Sequence, residues 1–296
     1  KEERLCGKTG ISHLLAKGKH GNVPNMRYLC LKDNGKEFNR IMVSVPKKLF
    51  KRAVKRNLLK RRIRESYRTQ KHLITSSIEH PAILNTMHYL EEEGFRVTFL
   101  PVDQYGRIKL DALKEALCED TILVSIMYVN NEVGSVQPIE EAASIVKAYN
   151  KNILFHVDAV QGFGKYRIFP KKTKIDMLSI SGHKIHGPKG VGALFIKNGT
   201  KLSPRIFGGG QEKDIRPGTE PMPAIAGFAG AVEELNIRNS LEKMTALRDE
   251  FVNDLRAIDG VIINSPDDAL PYIVNVSLMG LRSETVLNLL SGMGIY

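Results

Sequence analysis

From Ile74 onward the chain alternates short apolar runs with amphipathic stretches, and this alternation constrains the fold more than any other feature. Phe95 to Val102, Thr121 to Tyr128, Asn152 to Val157, Ile175 to Ile180 and Gly192 to Ile196 read as strands, most of them apolar on both faces. Between them, His80 to Glu93, Asp111 to Leu117 and Pro138 to Tyr149 have helical periodicity, with Asp111 placed to cap its helix and Pro138 suited to a first turn. Parallel strands require crossover helices, so the pattern predicts an α/β fold with a mainly parallel sheet covered by helices. A helical stretch from about Pro223 to Ala257 follows. A strand over Tyr272 to Leu278 and a helix over Ser283 to Leu290 then read as the start of a second, smaller domain.

Charge divides the chain at nearly the same place. Residues 1–73 hold 21 Lys+Arg against 5 Asp+Glu, a net +16, whereas residues 74–296 hold 23 against 27, a net −4, which together give the overall +12. A segment that basic attracts polyanions through counterion release, and the remainder has the balance of an ordinary enzyme. The three cysteines, Cys6, Cys30 and Cys118, have neither CxxC spacing nor a metal-ligand pattern, so no metal is expected and a reducing cytoplasm is. No run has the roughly 18 consecutive apolar residues of a membrane span, and no membrane partner is expected.

In the basic piece, Arg27 to Leu31 and Arg40 to Val45 are β-rich runs on either side of a hairpin-like Lys32-Asp-Asn-Gly35. A helix is predicted after Pro46, with Val54 and Leu58 on one side, Leu59, Ile63 and Tyr67 on another, and cations at most other positions. Like charges packed so densely repel one another unless a counter-charge is present. The run Lys51-Arg-Ala-Val-Lys-Arg-Asn-Leu-Leu-Lys-Arg-Arg-Ile-Arg-Glu65 resembles the basic helix of the bacterial ribonuclease P protein component, and Lys1-Glu-Glu-Arg-Leu5 resembles that family's opening. The resemblance implies an RNA-binding segment over residues 1–73, with Lys51, Arg52, Lys55, Arg56, Lys60, Arg61 and Arg64 on phosphates and Asn57 supporting the contact. Its implied partners are the ribonuclease P RNA and the 5′ leader of precursor tRNA.

In open α/β sheets ligands sit off the carboxyl ends of the strands, and polar residues accumulate at those ends here. Asn130-Asn-Glu-Val-Gly134 follows one predicted strand, Asp158 and Gln161 follow the next, and Ser181, His183 and Lys184 follow a third. A lysine in a turn-rich loop can hold an aldehyde covalently, and a carboxylate is the partner that a pyridinium nitrogen requires. Together Lys184 and Asp158 point to pyridoxal phosphate chemistry.

Five stretches carry a second resemblance: Ser76-Ser-Ile-Glu-His80-Pro-Ala-Ile-Leu, Val129-Asn-Asn-Glu-Val-Gly-Ser-Val-Gln137, His156-Val-Asp-Ala-Val-Gln161, Ser179 to Gly190, and Gly208-Gly-Gly-Gln-Glu212 with Arg216-Pro-Gly-Thr219. Over residues 74–296 the chain is similar to cysteine desulfurases of the aminotransferase class V group. The resemblance implies fold type I of the pyridoxal phosphate-dependent transferases, with Lys184 as covalent anchor and base. By the same resemblance Asp158 holds the ring nitrogen, and His80 stacks on the ring and moves protons. Gln161 reaches the ring's phenolic oxygen, Asn131 contacts cofactor and substrate, and Ser181 and His183 bind the phosphate. Thr219 is implied to reach the phosphate of a neighbouring subunit, hence a homodimer.

The substrate implied is L-cysteine or a related amino acid. The products are L-alanine and an enzyme persulfide, passed to a sulfur-acceptor protein for iron–sulfur cluster assembly or other sulfur transfer. The family's phosphate loop would precede His80 and its nucleophilic cysteine would follow Ile295. The chain is therefore expected to hold a type I fold incomplete at both ends, preceded by a partial α+β ribonuclease P protein-like segment, and to lack desulfurase turnover by itself. The expected domains are 1–73, a cofactor-binding domain over 74–265 and the start of a small domain over 266–296. The alternative expectation gives the RNA-binding piece the biological identity.

Overall fold

Residues 8–23, 26–30, 44, 53, 57, 60 and 71–295 are described by the computed structural model, and the chain divides into two units, Lys1–Arg68 and Thr69–Tyr296. In the first unit, α1 (Lys8–Lys17) leads through Gly18 into an antiparallel hairpin of β1 (Lys19–Val23) and β2 (Met26–Cys30). Gly18 donates its N–H to the Leu14 carbonyl at 2.9 Å. A Cβ there would lie 2.5 Å from that same oxygen, so glycine is what lets the chain turn so closely off the helix. Neither α1 nor β1 is foreseen by the sequence pattern. The predicted hairpin turn at 32–35 lies outside the described residues, and β2 pairs one strand earlier, with β1. Of the expected RNA-binding residues, Asn57 and Lys60 are helical, whereas Lys51, Arg52, Lys55, Arg56, Arg61 and Arg64 lie outside the described residues.

The second unit opens on β3 (His72–Ser76), followed by α2 (Pro81–Glu92), β4 (Arg96–Leu100), α3 (Leu110–Ala116), β5 (Thr121–Met127), α4 (Ile139–Tyr149), β6 (Leu154–Asp158), β7 (Met177–Ser181) and β8 (Gly192–Ile196). These strands form one sheet in the order β4-β3-β5-β6-β7-β8, parallel throughout except for β8, which runs antiparallel at one edge. The α/β reading therefore holds. The pattern also reaches two residues further forward than the change at Ile74, because β3 begins at His72. Beyond the sheet lie α5 (Met222–Glu233), α6 (Ile237–Arg256), a short antiparallel pair of β9 (Val261–Ile263) and β10 (Val276–Leu278), and α7 (Ser283–Gly292).

The two faces of the sheet differ. Ile74, Val124, Ile126, Phe155, Val157 and Leu178 share one face and pack with Leu113 of α3 and Ala142, Ala143 and Val146 of α4 into the core. Alternate residues point the other way. That second face carries Thr75, Ser125, His156, Asp158, Ser179 and Ser181, in rows set by the pairings Thr75 with Ser125, Ser125 with His156, and Asp158 with Ser179. The expectation of strands apolar on both faces is thus corrected. The polar side chains are tolerated because they satisfy one another: Thr75 Oγ1 donates to the Ser125 carbonyl at 2.9 Å, and His156 bonds Ser125 Oγ through Nδ1 and Ser179 Oγ through Nε2, each at 2.8 Å.

Three local expectations are also corrected. Lys109, not Asp111, occupies the cap of α3, and Asp111 sits in the first turn paired with Lys114 at 2.9 Å. Pro138 caps α4 from outside the helix. The single helix expected over 223–257 is two, because the Asn236 side chain accepts the Asn239 N–H at 3.3 Å and starts α6 afresh. At the amino end of β7, buried Asp176 accepts the Phe155 N–H at 2.9 Å and binds Lys147 and Lys197. Burial alone would raise its pKa, but these partners hold the carboxyl below the ordinary carboxylate range.

Candidate active site

The chain places β4 on one side of β3 and β5 on the other, so connections leave in opposite directions and open a crevice at the carboxyl ends of these strands. At the end of β3 the chain passes through Glu79 to His80, the cap of α2, whose Nδ1 accepts the Ala82 N–H at 3.1 Å. In neutral His80 the ring proton therefore sits on Nε2. Glu79 is 3% exposed. Its Oε1 accepts from Ser76 Oγ at 2.6 Å and from the Met127 N–H at 2.8 Å, while Oε2 is buried with no hydrogen-bond partner. Burial raises its pKa to about 7, with the charge of Asp158 adding to the push, against the lowering effect of its hydrogen bonds.

After β5, Asn130 organises the loop. Its Oδ1 accepts the Glu132 and Val133 N–H groups at 2.9 Å each, and its Nδ2 donates to the Ile78 carbonyl at 3.1 Å, tying two strand ends together. Asn131 is thereby carried to the rim, where its Nδ2 donates to Glu132 Oε1 at 2.9 Å. At the end of β6, Asp158 Oδ1 accepts the Val160 N–H at 3.0 Å and Oδ2 has no hydrogen bond among the described residues. Half-buried Gln161 follows on the turn. Beneath Asp158 on the same face lies His156, whose pKa burial lowers and Asp158 partly restores, so it is a neutral imidazole held from both sides.

At the end of β7, Ser181 leads into a 3₁₀ turn over Gly182–Ile185 that carries His183 and Lys184 and ends on His186 in the left-handed region, φ 65°. Ser181 Oγ and His183 Nδ1 bond at 2.7 Å. Lys184 is exposed. It contributes to a cavity of about 300 Å³ with Lys165, His186, Glu234, Ser240 and Tyr272. Lys165 is buried and donates from Nζ to the Lys184 carbonyl at 2.7 Å, with that Nζ also 5.6 Å from the centre of the Tyr272 ring. Burial, then the charge of Lys184, lower its pKa. Gly164 makes this approach possible: its φ is +77°, and a Cβ would lie 2.6 Å from Ile185 Cγ2 and 3.1 Å from Leu235 Cδ2. Gly164→Ala should therefore lower the unfolding free energy by about 2 to 3 kcal/mol, combining left-handed strain with overpacking. Urea unfolding checks this, and a change below about 0.5 kcal/mol, the range of an ordinary surface substitution, would sink it.

The structure thus brings Asp158 and Ser181 onto one sheet face, bonds Ser181 to His183, and sets His80, Asn131, Gln161 and Lys184 on loops after their strands. Thr219 is exposed and follows a strained turn in which Glu212, Lys213 and Asp214 all have positive φ. Sequence reasoning missed Glu79, His156 and Lys165 as parts of the site. Two had a signal in the sequence: His156 lies two residues before Asp158 and must share its strand face, and Ser76 and Glu79 have a turn-closing spacing. Lys165 had none, since its burial depends on α6 and on the segment around Tyr272.

A mainly parallel sheet with this crevice matches the type I fold of pyridoxal phosphate-dependent enzymes. A family model for aminotransferase class-V matches residues 53–296, and a ribonuclease P family model matches residues 1–91. The chain belongs to the class-V aminotransferase family. It is 46% identical over 229 residues to a cysteine desulfurase IscS of Methanosarcina thermophila, covering 76% of this chain and 56% of that protein. Against a NifS/IcsS protein homolog of Lactobacillus delbrueckii subsp. bulgaricus it is 45% identical, covering 76% and 60%. A solved NifS-like protein superposes with a TM-score of 0.75 at 45% identity, over 77% of this chain and 63% of that one. The chain thus spans less than two thirds of the length of these relatives.

Pyridoxal phosphate is the cofactor of this family, and the donor set fits it. An aspartate with one unoccupied oxygen suits a ring N–H cation, a hydroxyl and imidazole suit a phosphate, and an exposed amine suits an aldehyde.

Proposed function

We propose that residues 74–296 form the cofactor-binding part of a cysteine desulfurase, with a large domain over 74–265 and the beginning of a small domain from 266. The observation that carries the reading is the unoccupied oxygen of Asp158 on the sheet face of Ser181, with Lys184 on the loop that follows. When bound, pyridoxal phosphate supplies an electron sink for the bonds at the substrate's α-carbon. Lys184 anchors it and moves the α-proton, Asp158 holds the ring N–H, and His80, with its proton on Nε2, serves as the second proton carrier. Gln161 binds the phenolic oxygen, Asn131 contacts cofactor and substrate, and Ser181 and His183 bind the phosphate. Thr219, exposed at the surface, suits a reach into a neighbouring subunit and hence a homodimer.

In the overall reaction L-cysteine gives its sulfur atom to a thiolate, leaving L-alanine and a persulfide for an acceptor protein, with iron–sulfur assembly in the cytoplasm as the natural use. The acceptor thiol is not Cys118. Arg96 Nη2 donates to Cys118 Sγ at 2.7 Å at the amino ends of β4 and β5, the end of the sheet opposite the crevice. The expected behaviour of the polypeptide is cofactor binding without release of alanine from cysteine. Saturable uptake of pyridoxal phosphate with a visible protein-bound band supports the assignment, and lack of saturable uptake removes it.

A second reading concerns the first unit and rests on the ribonuclease P match over residues 1–91. We infer that the cations between Lys51 and Arg64 bind structured RNA such as ribonuclease P RNA or a precursor tRNA leader. If these cations make six or more phosphate contacts, affinity should fall roughly a thousandfold between 50 and 200 mM salt. A flat salt dependence would exclude this reading.

A further inference from the structure

Glu79 is a buried carboxyl at the crevice that the proposed reaction leaves unused. Its carboxyl lies almost wholly buried between the ends of β3 and β5. One oxygen takes two hydrogen bonds, from Ser76 Oγ and the Met127 N–H, and the other takes none. An orphaned buried carboxylate oxygen is costly, so such a group is kept for its proton or its charge or is a liability. β3 and β5 present it a hydroxyl and the Met127 N–H, and Met127 pairs across the sheet with Asp158 at the end of β6, the charged group acting on it. Glu79 also precedes His80 directly at the start of α2.

We propose that Glu79 is a positioning residue that, by carrying or releasing a proton on its partnerless oxygen, sets how strongly Asp158 holds the cationic ring nitrogen of the bound cofactor. With Glu79 ionised, two negative charges face the ring end of the site, and the Asp158 carboxylate gains by accepting a positive N–H. With Glu79 neutral, Asp158 acts alone. The carboxyl's raised pKa, about 7, places the change within reach of cellular pH. This role rests on the pyridoxal phosphate reading of the site.

The test compares pyridoxal phosphate affinity of the full chain and of Glu79→Gln, by absorbance titration from pH 6 to pH 8.5. Glutamine reproduces the neutral carboxyl in shape and leaves Oε1 as an acceptor. Dividing the two dissociation constants at each pH cancels every pH effect that the two proteins share, that of the ligand's own phosphate included. The expected ratio is near one at pH 6 and rises to about fivefold or more weaker binding for the variant at pH 8.5, which requires at least about 1 kcal/mol of coupling. A second variant guards against a folding defect: Ser76→Ala removes one bond to the carboxylate and should move the midpoint of the wild-type pH dependence upward. A pH-independent ratio, or a midpoint that Ser76→Ala leaves in place, overturns the role of Glu79 while leaving the cofactor reading intact. Absence of binding by both proteins at every pH removes the cofactor reading and this role with it.

Discussion

Lys184→Ala should abolish every trace of cofactor that borohydride can fix to the protein, while its unfolding free energy stays within about 0.5 kcal/mol of wild type. The second half follows from exposure: the Lys184 side chain fills no core space, and the bond that holds its loop, from Lys165 Nζ, is made to its backbone carbonyl. The first half follows from chemistry, since only a neutral primary amine condenses with an aldehyde. A competitor stands nearby. Lys165 lines the same cavity, and burial, then the charge of Lys184, lower its pKa, so it is the rival amine for the aldehyde. Peptide mapping after reduction decides between them. Label on the Lys184 peptide in wild type, and none in the variant, is the expected result. Label on Lys165, or label that survives in Lys184→Ala, would reassign the anchor.

Glu79→Gln should be more stable than wild type by on the order of 3 kcal/mol at pH 8 and by only about 1 kcal/mol at pH 5. The reason is linkage. A carboxyl whose pKa is 4.5 in the unfolded chain and about 7 in the fold binds its proton more tightly when folded. Between those values folding takes up a proton, so wild-type stability falls as pH rises through the window. Above it the full penalty of burying the charge remains, roughly 1.4 kcal/mol for each tenfold gain in proton affinity on folding. Glutamine never ionises and escapes it. His72 and His156 work in the opposite direction: burial lowers both, so stability is lost as pH falls below the ordinary histidine range. Both proteins share that effect, and it cancels in the difference. Urea unfolding at the two pH values measures this directly, and equal stabilities at pH 8 would show that Glu79 is not titrating as described.

The sheet could be read from the sequence because strand and crossover helix are local patterns, and β5, β6 and β7 fall within a few residues of their predicted runs. Strand β3 went unseen because its five residues directly follow the basic tract and are too few to set up a period of their own. The break between α5 and α6 was missed for a different reason: one asparagine cap interrupts a composition that favours helix throughout. The positions of Lys184 and Asp158 at strand ends were legible because both sit at or just after apolar runs. Glu79, beside the more conspicuous His80, was not.

Residue order alone settled that the second part of the chain would be an α/β sheet, that polar residues would close several of its strands, and that the positive charge would belong to another segment. Those properties depend on neighbours within a turn or a strand. Register decided the rest. Only when Ser125, His156 and Ser179 are laid side by side does one sheet face become a hydrogen-bonded polar row beneath Asp158. Only the joining of β3 to β5 buries Glu79 with an oxygen unsatisfied, because desolvation is a property of everything that surrounds a group and no stretch of chain carries it alone.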